Sequence, residues 1–304
     1  MTQQQRQRPD TDTVILHSGY AEARARTETL VGEFDRSIAA RQLELPSLPE
    51  VVLKIRSALA DENVSLAEIT RLLGTDPALA ARVLRTANSA MFYRGSRPIV
   101  DLRTAVSRLG YHMVRNVSLS FAAQQVFIGY STRQLRDCVS GVWQHCVHTA
   151  VIAHMLARVR TRQNPDEAFL AGLLHEVGKL YILMRVKDDI ERLNDEPAFR
   201  AVVAAWHPRL GQAVIDVWQL SADLAVAVGE HEQCGLEASD PSSLTQLLAV
   251  ANYLAENGER ACQDSQFHSK VPALGSLAMD KRTFDWLVRT ADVDVRLLML
   301  AFGI

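Results

Sequence analysis

The sequence is poor in the features that mark most specialised classes. Its four cysteines (Cys138, Cys146, Cys234, Cys262) form no CxxC pair, which excludes a zinc ribbon and a thioredoxin-like redox motif and predicts reduced, mostly buried thiols in a cytoplasmic setting. The opening MTQQQRQRPDTDTV has no apolar core of a secretion signal, and no stretch reaches the roughly 18 uninterrupted apolar residues of a membrane span. A soluble chain that is not exported is therefore expected. The formal net charge of −2 supplies no global field to attract nucleic acid or an anionic membrane, so any such partner must use a local patch. No run alternates apolar and polar residues long enough to form a sheet, and no fixed-period repeat is present.

Apolar residues at helical spacing are plentiful. They make up 48% of 304 residues, enough for one large or two modest cores without covalent staples. Residues 1–13 are polar and predicted to be disordered. Residues 14–44 form a helical appendage, in which Leu30, Val31, Phe34 and Ile38 make one apolar face that packs on the body or on a second copy. LPSLPE (45–50) then breaks the chain, with Ser47 read as a cap ahead of a helix over 49–60. Ser65 with Glu68 makes a capping box, and Asp76-Pro77 opens another helix. Helical pattern continues over 101–128, 138–160, 166–184, 187–194, 197–219, 221–231, 241–257 and 281–302. The predicted class is all-α.

The stretch LPSLPEVVLKIRSALADENVSLAEITRLLGTDPALAARVLRTANSAMFY, followed by IVDLRTAVSRLGYHMVRNVSLS and later by FLAGLLHEVGKL, resembles the HDOD family, HD-related output domains of bacterial signalling proteins. The resemblance implies an HDOD domain over 45–257, with an N-terminal helical half (45–130) and an HD-like half (131–257), then a C-terminal helical extension (258–304). It further implies descent from the HD metal-dependent phosphohydrolase fold with a degraded metal site, and a role in signal transduction through protein contacts.

Metal-dependent phosphohydrolysis needs imidazoles and carboxylates converging on one or two cations, which lower the pKa of a bound water and grip phosphate oxygens. The residues that match this need, by resemblance to HD-GYP phosphodiesterases, are His145, His175, Glu176, His207, Glu230, His231 and Asn252. Three depart from that pattern: Glu176 stands for an aspartate, Asn252 for a final aspartate, and Glu230 for the first of two adjacent histidines. The GYP tripeptide is absent. The expectation is a vestigial cluster with no catalytic residue and no required cofactor, in which a residual divalent metal is held at most by His145, His175, Glu176 and Glu230. On the plain reading, His148 is a core or subunit-facing histidine, His207 caps a helix whose second turn begins at Pro208, and Lys179 is a solvated helix-end charge.

Two other readings stay open. A phosphohydrolase acting on a nucleotide or cyclic dinucleotide would use His145, His175, Glu176, His207 and His231. A nucleic-acid-contacting regulator would use the stripe of Arg82, Arg85, Arg94, Arg97, Arg103, Arg108 and Arg115, which carries only Asp101 against it. The expected partner is instead a signalling protein, met through the loop holding Met91, Phe92, Tyr93, Arg94 and Arg97, with a homodimer through the N-terminal helix as a further option.

Overall fold

The computed structural model describes residues 28–92, 95, 97–129, 131–188, 197–232, 243–263 and 281–302. All regular structure among them is helical. In chain order the helices are α1 (28–39), α2 (Glu50–Ala58), α3 (Leu66–Leu73), α4 (Pro77–Ala87), α5 (Leu102–Gly129), α6 (Arg133–Arg160), α7 (Pro165–Leu174), α8 (Val177–Arg185), α9 (Pro197–Val217), α10 (Ala222–Glu230), α11 (Leu244–Gln263) and α12 (Lys281–Phe302). The segments predicted over 189–194, 1–27 and 264–280 lie outside the described residues.

Local signals set the helix starts. Ser65 Oγ accepts the Glu68 N–H at 3.1 Å, and Asp76 Oδ1 accepts those of Ala78 and Leu79 at 2.9 and 3.0 Å, with Pro77 in the first turn. Each bond satisfies an N–H that the helix itself cannot. Helix α5 bends at Gly110, whose φ of 78° is open to glycine at little cost. This bend lets the N-terminal helices α2, α3 and α4 and the HD-like helix α7 all pack along α5.

Helix α7 is apolar all round, buried from Ala168 to Leu174, and forms the centre of the second half. It lies so close to α6 that a Cβ on Gly172 would stand 2.3 Å from Ala150 Cα. Helices α5, α6, α10 and α11 pack around it, α8 pairs with α9, and α12 returns to pack on α4 and α6. One continuous core joins the two halves.

The apolar face of α1 is spent on the chain's own body. Leu30 and Phe34 are buried, Phe34 packs on Tyr181 and Trp206, and Arg185 bridges Glu33 and Glu44 at 3.3 and 2.7 Å. The arginine stripe is also broken up by packing. Arg82 is 5% exposed, donates to Gln124 Oε1 and to the Phe302 carbonyl, and stacks on Phe121 and Phe302; Arg85 Nε donates to the Ala301 carbonyl at 3.1 Å. Arg82 is thereby buried against the end of α12, and Arg85, itself exposed, is tied to the same end. Cys146 is buried and Cys138 exposed. Among the described residues no helix is long and apolar enough to cross a membrane.

Candidate functional site

The apolar pattern over 166–184 predicts one helix, but the chain breaks at His175-Glu176. His175 ends α7 and Glu176 starts α8, with φ −96° and ψ 12° at the joint. The break lets α8 lean onto α9, where a Cβ on Gly178 would meet the His207 carbonyl oxygen at 1.9 Å. Only a residue without a Cβ permits that approach, and it brings His207 to the HE pair. His207 lies inside α9, with Pro208 following within the same helix. It caps nothing, contrary to the plain reading of WHPRLG.

Six elements deliver side chains to one buried cluster: His145 from α6, His175 and Glu176 from the α7–α8 joint, Lys179 from α8, His207 from α9, His231 and Glu232 from the end of α10, and Asn252 from α11. His175, Glu176, His207 and His231 are all at most 2% exposed. Ring centroids run His145–His175 5.1 Å, His175–His231 5.1 Å and His207–His231 5.3 Å.

Three of the imidazoles are fixed in the same way. The Nδ1–H of His175 donates to the Gly172 carbonyl, that of His207 to Val203 and that of His231 to Val228, each at 2.8 Å. A carbonyl can only accept, so Nδ1 carries the proton in each ring and Nε2 presents a lone pair to the cluster. Burial pushes His175 and His231 below the ordinary imidazole value; both rings are neutral at pH 7. Burial also pushes the Glu176 carboxyl up, but His175, Lys179, His207 and His231 outweigh it and hold it down to about 2. The Lys179 ammonium lies 2.5 Å from Glu176 Oε1. Lys179 is thus a member of the cluster rather than a solvated helix end.

Glu176 divides the cluster through its two oxygens. On the Oε1 side, Lys179 is bonded, and His175 and His145 Nε2 lie 3.6 and 4.0 Å away. There His145 donates its Nε2–H to Asn252 Oδ1 at 2.7 Å, with the lone pair of His175 Nε2 3.2 Å away. On the Oε2 side, His207 Nε2 lies 3.5 Å away, and Glu232 Oε1 lies 3.3 Å beyond it. Glu176 Oε2, His207 Nε2 and His231 Nε2 are all buried without a hydrogen-bond partner.

Of the sequence-predicted residues, His145, His175, Glu176, His207, His231 and Asn252 come together. Glu230 is exposed at the end of α10, and Glu232, two residues on, is the carboxylate that reaches the cluster; alternation past a helix end was the only sequence signal for it. His148 turns the other way, its Nε2 3.7 Å from Asp292 on α12. In the loop, Phe92 packs on His154 and Phe169, Met91 is half-buried, and Arg97 is exposed, while Tyr93 and Arg94 lie outside the described residues. Asn88 holds that loop with a reciprocal pair to Ile99, at 2.8 and 2.7 Å.

The HDOD domain family profile matches residues 45–234, more than half of the sequence. The chain belongs to the HDOD family. The HDOD chain is 26% identical over 235 residues to an uncharacterized protein of Treponema pallidum, covering 74% of this chain and spanning only 45% of that longer protein. A provisionally named metal-dependent phosphohydrolase from Shewanella amazonensis superposes with a TM-score of 0.72 at 22% identity, over 91% of this chain and 99% of that one. An HDOD domain protein of unknown function from Geobacter sulfurreducens superposes at 0.64 with 24% identity, over 90% and 98%. At such identities these structures establish the HDOD fold, which is related to that of HD phosphohydrolases, and nothing finer. Against the HD pattern the cluster is degenerate, since Asn252 is neutral and Glu230 points away.

Proposed function

We propose that this HDOD protein is a non-catalytic output or adaptor module of signal transduction that acts through protein contacts. The observation that carries this reading is the hydrogen-bonded closure of half the cluster: His145 is spent on Asn252, and Glu176 Oε1 on Lys179. Hydrolysis of a phosphodiester needs cations to activate water and neutralise the phosphate, with open coordination positions for both. An amide where a carboxylate is required and an ammonium bonded to the shared carboxylate oppose that chemistry. Cyclic dinucleotides and a chromogenic phosphodiester, incubated with Mn2+, Fe2+ or Mg2+, are expected to stay intact. Turnover that vanishes in His175→Ala would establish the phosphohydrolase reading instead.

The contact surface fits the loop after α4. Among the described residues its exposed members are Gly95, Arg97, Pro98 and Val100, the last 81% exposed on a frame held by Asn88. Rigidly mounted loops that present apolar and arginine side chains suit protein recognition. The double variant Arg97→Ala/Val100→Ala is expected to melt with the parent protein and to lose its co-purifying partner. The nucleic-acid reading loses support because Arg82 and Arg85 are tied to α12.

A further inference from the structure

The two sides of Glu176 are chemically unlike, and the difference has a consequence. Around Oε1, Lys179 is bonded to Glu176 and His145 Nε2–H to Asn252, with His175 Nε2 3.2 Å from His145 Nε2. Around Oε2 there are only lone pairs: Glu176 Oε2, His207 Nε2 and His231 Nε2 are buried and unpartnered, and Glu232 Oε1 faces them. Leaving several acceptors buried with no donor is unfavourable by about 1–3 kcal/mol for each. Among the described residues no donor is hydrogen-bonded to Glu176 Oε2, His207 Nε2 or His231 Nε2, and the Nδ1 protons of His175, His207 and His231 are directed to the carbonyls of Gly172, Val203 and Val228. A backbone carbonyl that fixes the distal nitrogen is also how metal-bound histidines are oriented.

We propose that this half of the cluster, Glu176, His207, His231 and Glu232, is a structural site for one divalent transition cation of the zinc or manganese type, and that the His145–His175–Asn252 half holds none. The four ligand atoms all lie within 4.8 Å of one another. The separations 3.5 Å (Glu176 Oε2 to His207 Nε2) and 3.3 Å (His207 Nε2 to Glu232 Oε1) bracket the edge of about 3.4 Å that a tetrahedron with bonds of about 2.1 Å requires. Two imidazole nitrogens suit a borderline-soft cation, and two carboxylates offset its double charge. Four protein ligands fill a tetrahedral shell and leave no place for a reacting water, so such an ion ties α8, α9 and α10 together rather than catalysing. On the other side the required space is taken: His145 Nε2–H is bonded to Asn252 and Lys179 to Glu176 Oε1. The site does not depend on the signalling role proposed above; a module can hold an ion with or without a partner.

The full chain, stripped with chelator and returned to metal-free buffer, is titrated with Zn2+ and with Mn2+ by calorimetry, and its melting is followed in parallel. One equivalent of Zn2+ per chain and a rise in Tm are expected. His231→Ala and Glu232→Gln should each weaken Zn2+ by at least roughly 100-fold, at or above the top of the 10–100-fold loss usual on removing an outer partner of a ligand. His145→Ala should keep one equivalent with a Kd within about threefold. The Glu232 side chain is 40% exposed, so Glu232→Gln folds even where His231→Ala does not, and circular dichroism checks this. Two equivalents in the parent protein, loss of binding in His145→Ala with retention in Glu232→Gln, or no calorimetric Zn2+ binding at all would each overturn the proposal. The last result would mean that a proton shared between His207 and Glu232 satisfies the cluster.

Discussion

Replacing Gly178 by alanine sets two known effects against each other. Alanine is favoured over glycine inside a helix by about 1 kcal/mol, and Gly178 is the second residue of α8. The added Cβ, however, would stand 1.9 Å from the His207 carbonyl oxygen, 2.7 Å from Gly211 N and 2.8 Å from His207 C, all backbone atoms that cannot rotate away. Overpacking of this kind costs about 3 kcal/mol, the upper part of the usual range. The net is about 2 kcal/mol of destabilisation, a fall in Tm of roughly 4–8 °C for a chain of this size. Gly141 is the matched control: it lies exposed in α6, and a Cβ there meets nothing within 4 Å. Gly141→Ala should gain up to about 1 kcal/mol and melt roughly 2–4 °C higher. Thermal melts of the three proteins under one buffer decide the matter. If Gly178→Ala melts at or above the parent, the close approach of α8 to α9 is wrong, and with it the placement of His207 beside Glu176.

Burial lowers the His154 imidazole to about 4, against a backbone bond to Pro165 that opposes the shift. The unfolded chain therefore binds a proton that the folded chain refuses between pH of about 6.5 and 4, and stability is lost as pH falls through that window, by about 3 kcal/mol at its lower end. His154→Asn, which keeps a donor for the Pro165 carbonyl, should flatten urea melts across that range; an unchanged slope would assign the pH dependence to other groups. Arg82→Ala leaves the Phe302 carbonyl and Gln124 without their donor, at about 1–3 kcal/mol each, and should hasten proteolytic cutting in α12 while leaving DNA retention at background; loss of a real DNA complex would revive the arginine stripe. His175→Ala should lower Tm clearly, since it removes the ring that packs between His145 and His231, and the drop should appear equally with and without chelator. A chelator-dependent drop would place an ion on the His145 side.

The all-α class, most helix starts and most of the cluster's members were legible in the sequence, because the signals are local: apolar spacing, Ser65 with Glu68, Asp76-Pro77, and histidines and carboxylates in a pattern resembling a known family. The same locality explains what was missed. An unbroken apolar run over 166–184 cannot reveal the break at His175-Glu176, since that break is stabilised by Gly178 meeting a helix about 30 residues further on. Choosing Glu232 over Glu230 depended on how the chain leaves α10, and burying Arg82 depended on the end of α12 arriving from some 220 residues away. Sequence alone fixes which side chains are available and which backbone forms helices, because propensity and capping act within a few residues. Which lone pairs are satisfied and which are left facing one another is decided only when distant helices pack, because hydrogen-bond partners and burial are properties of the assembled core.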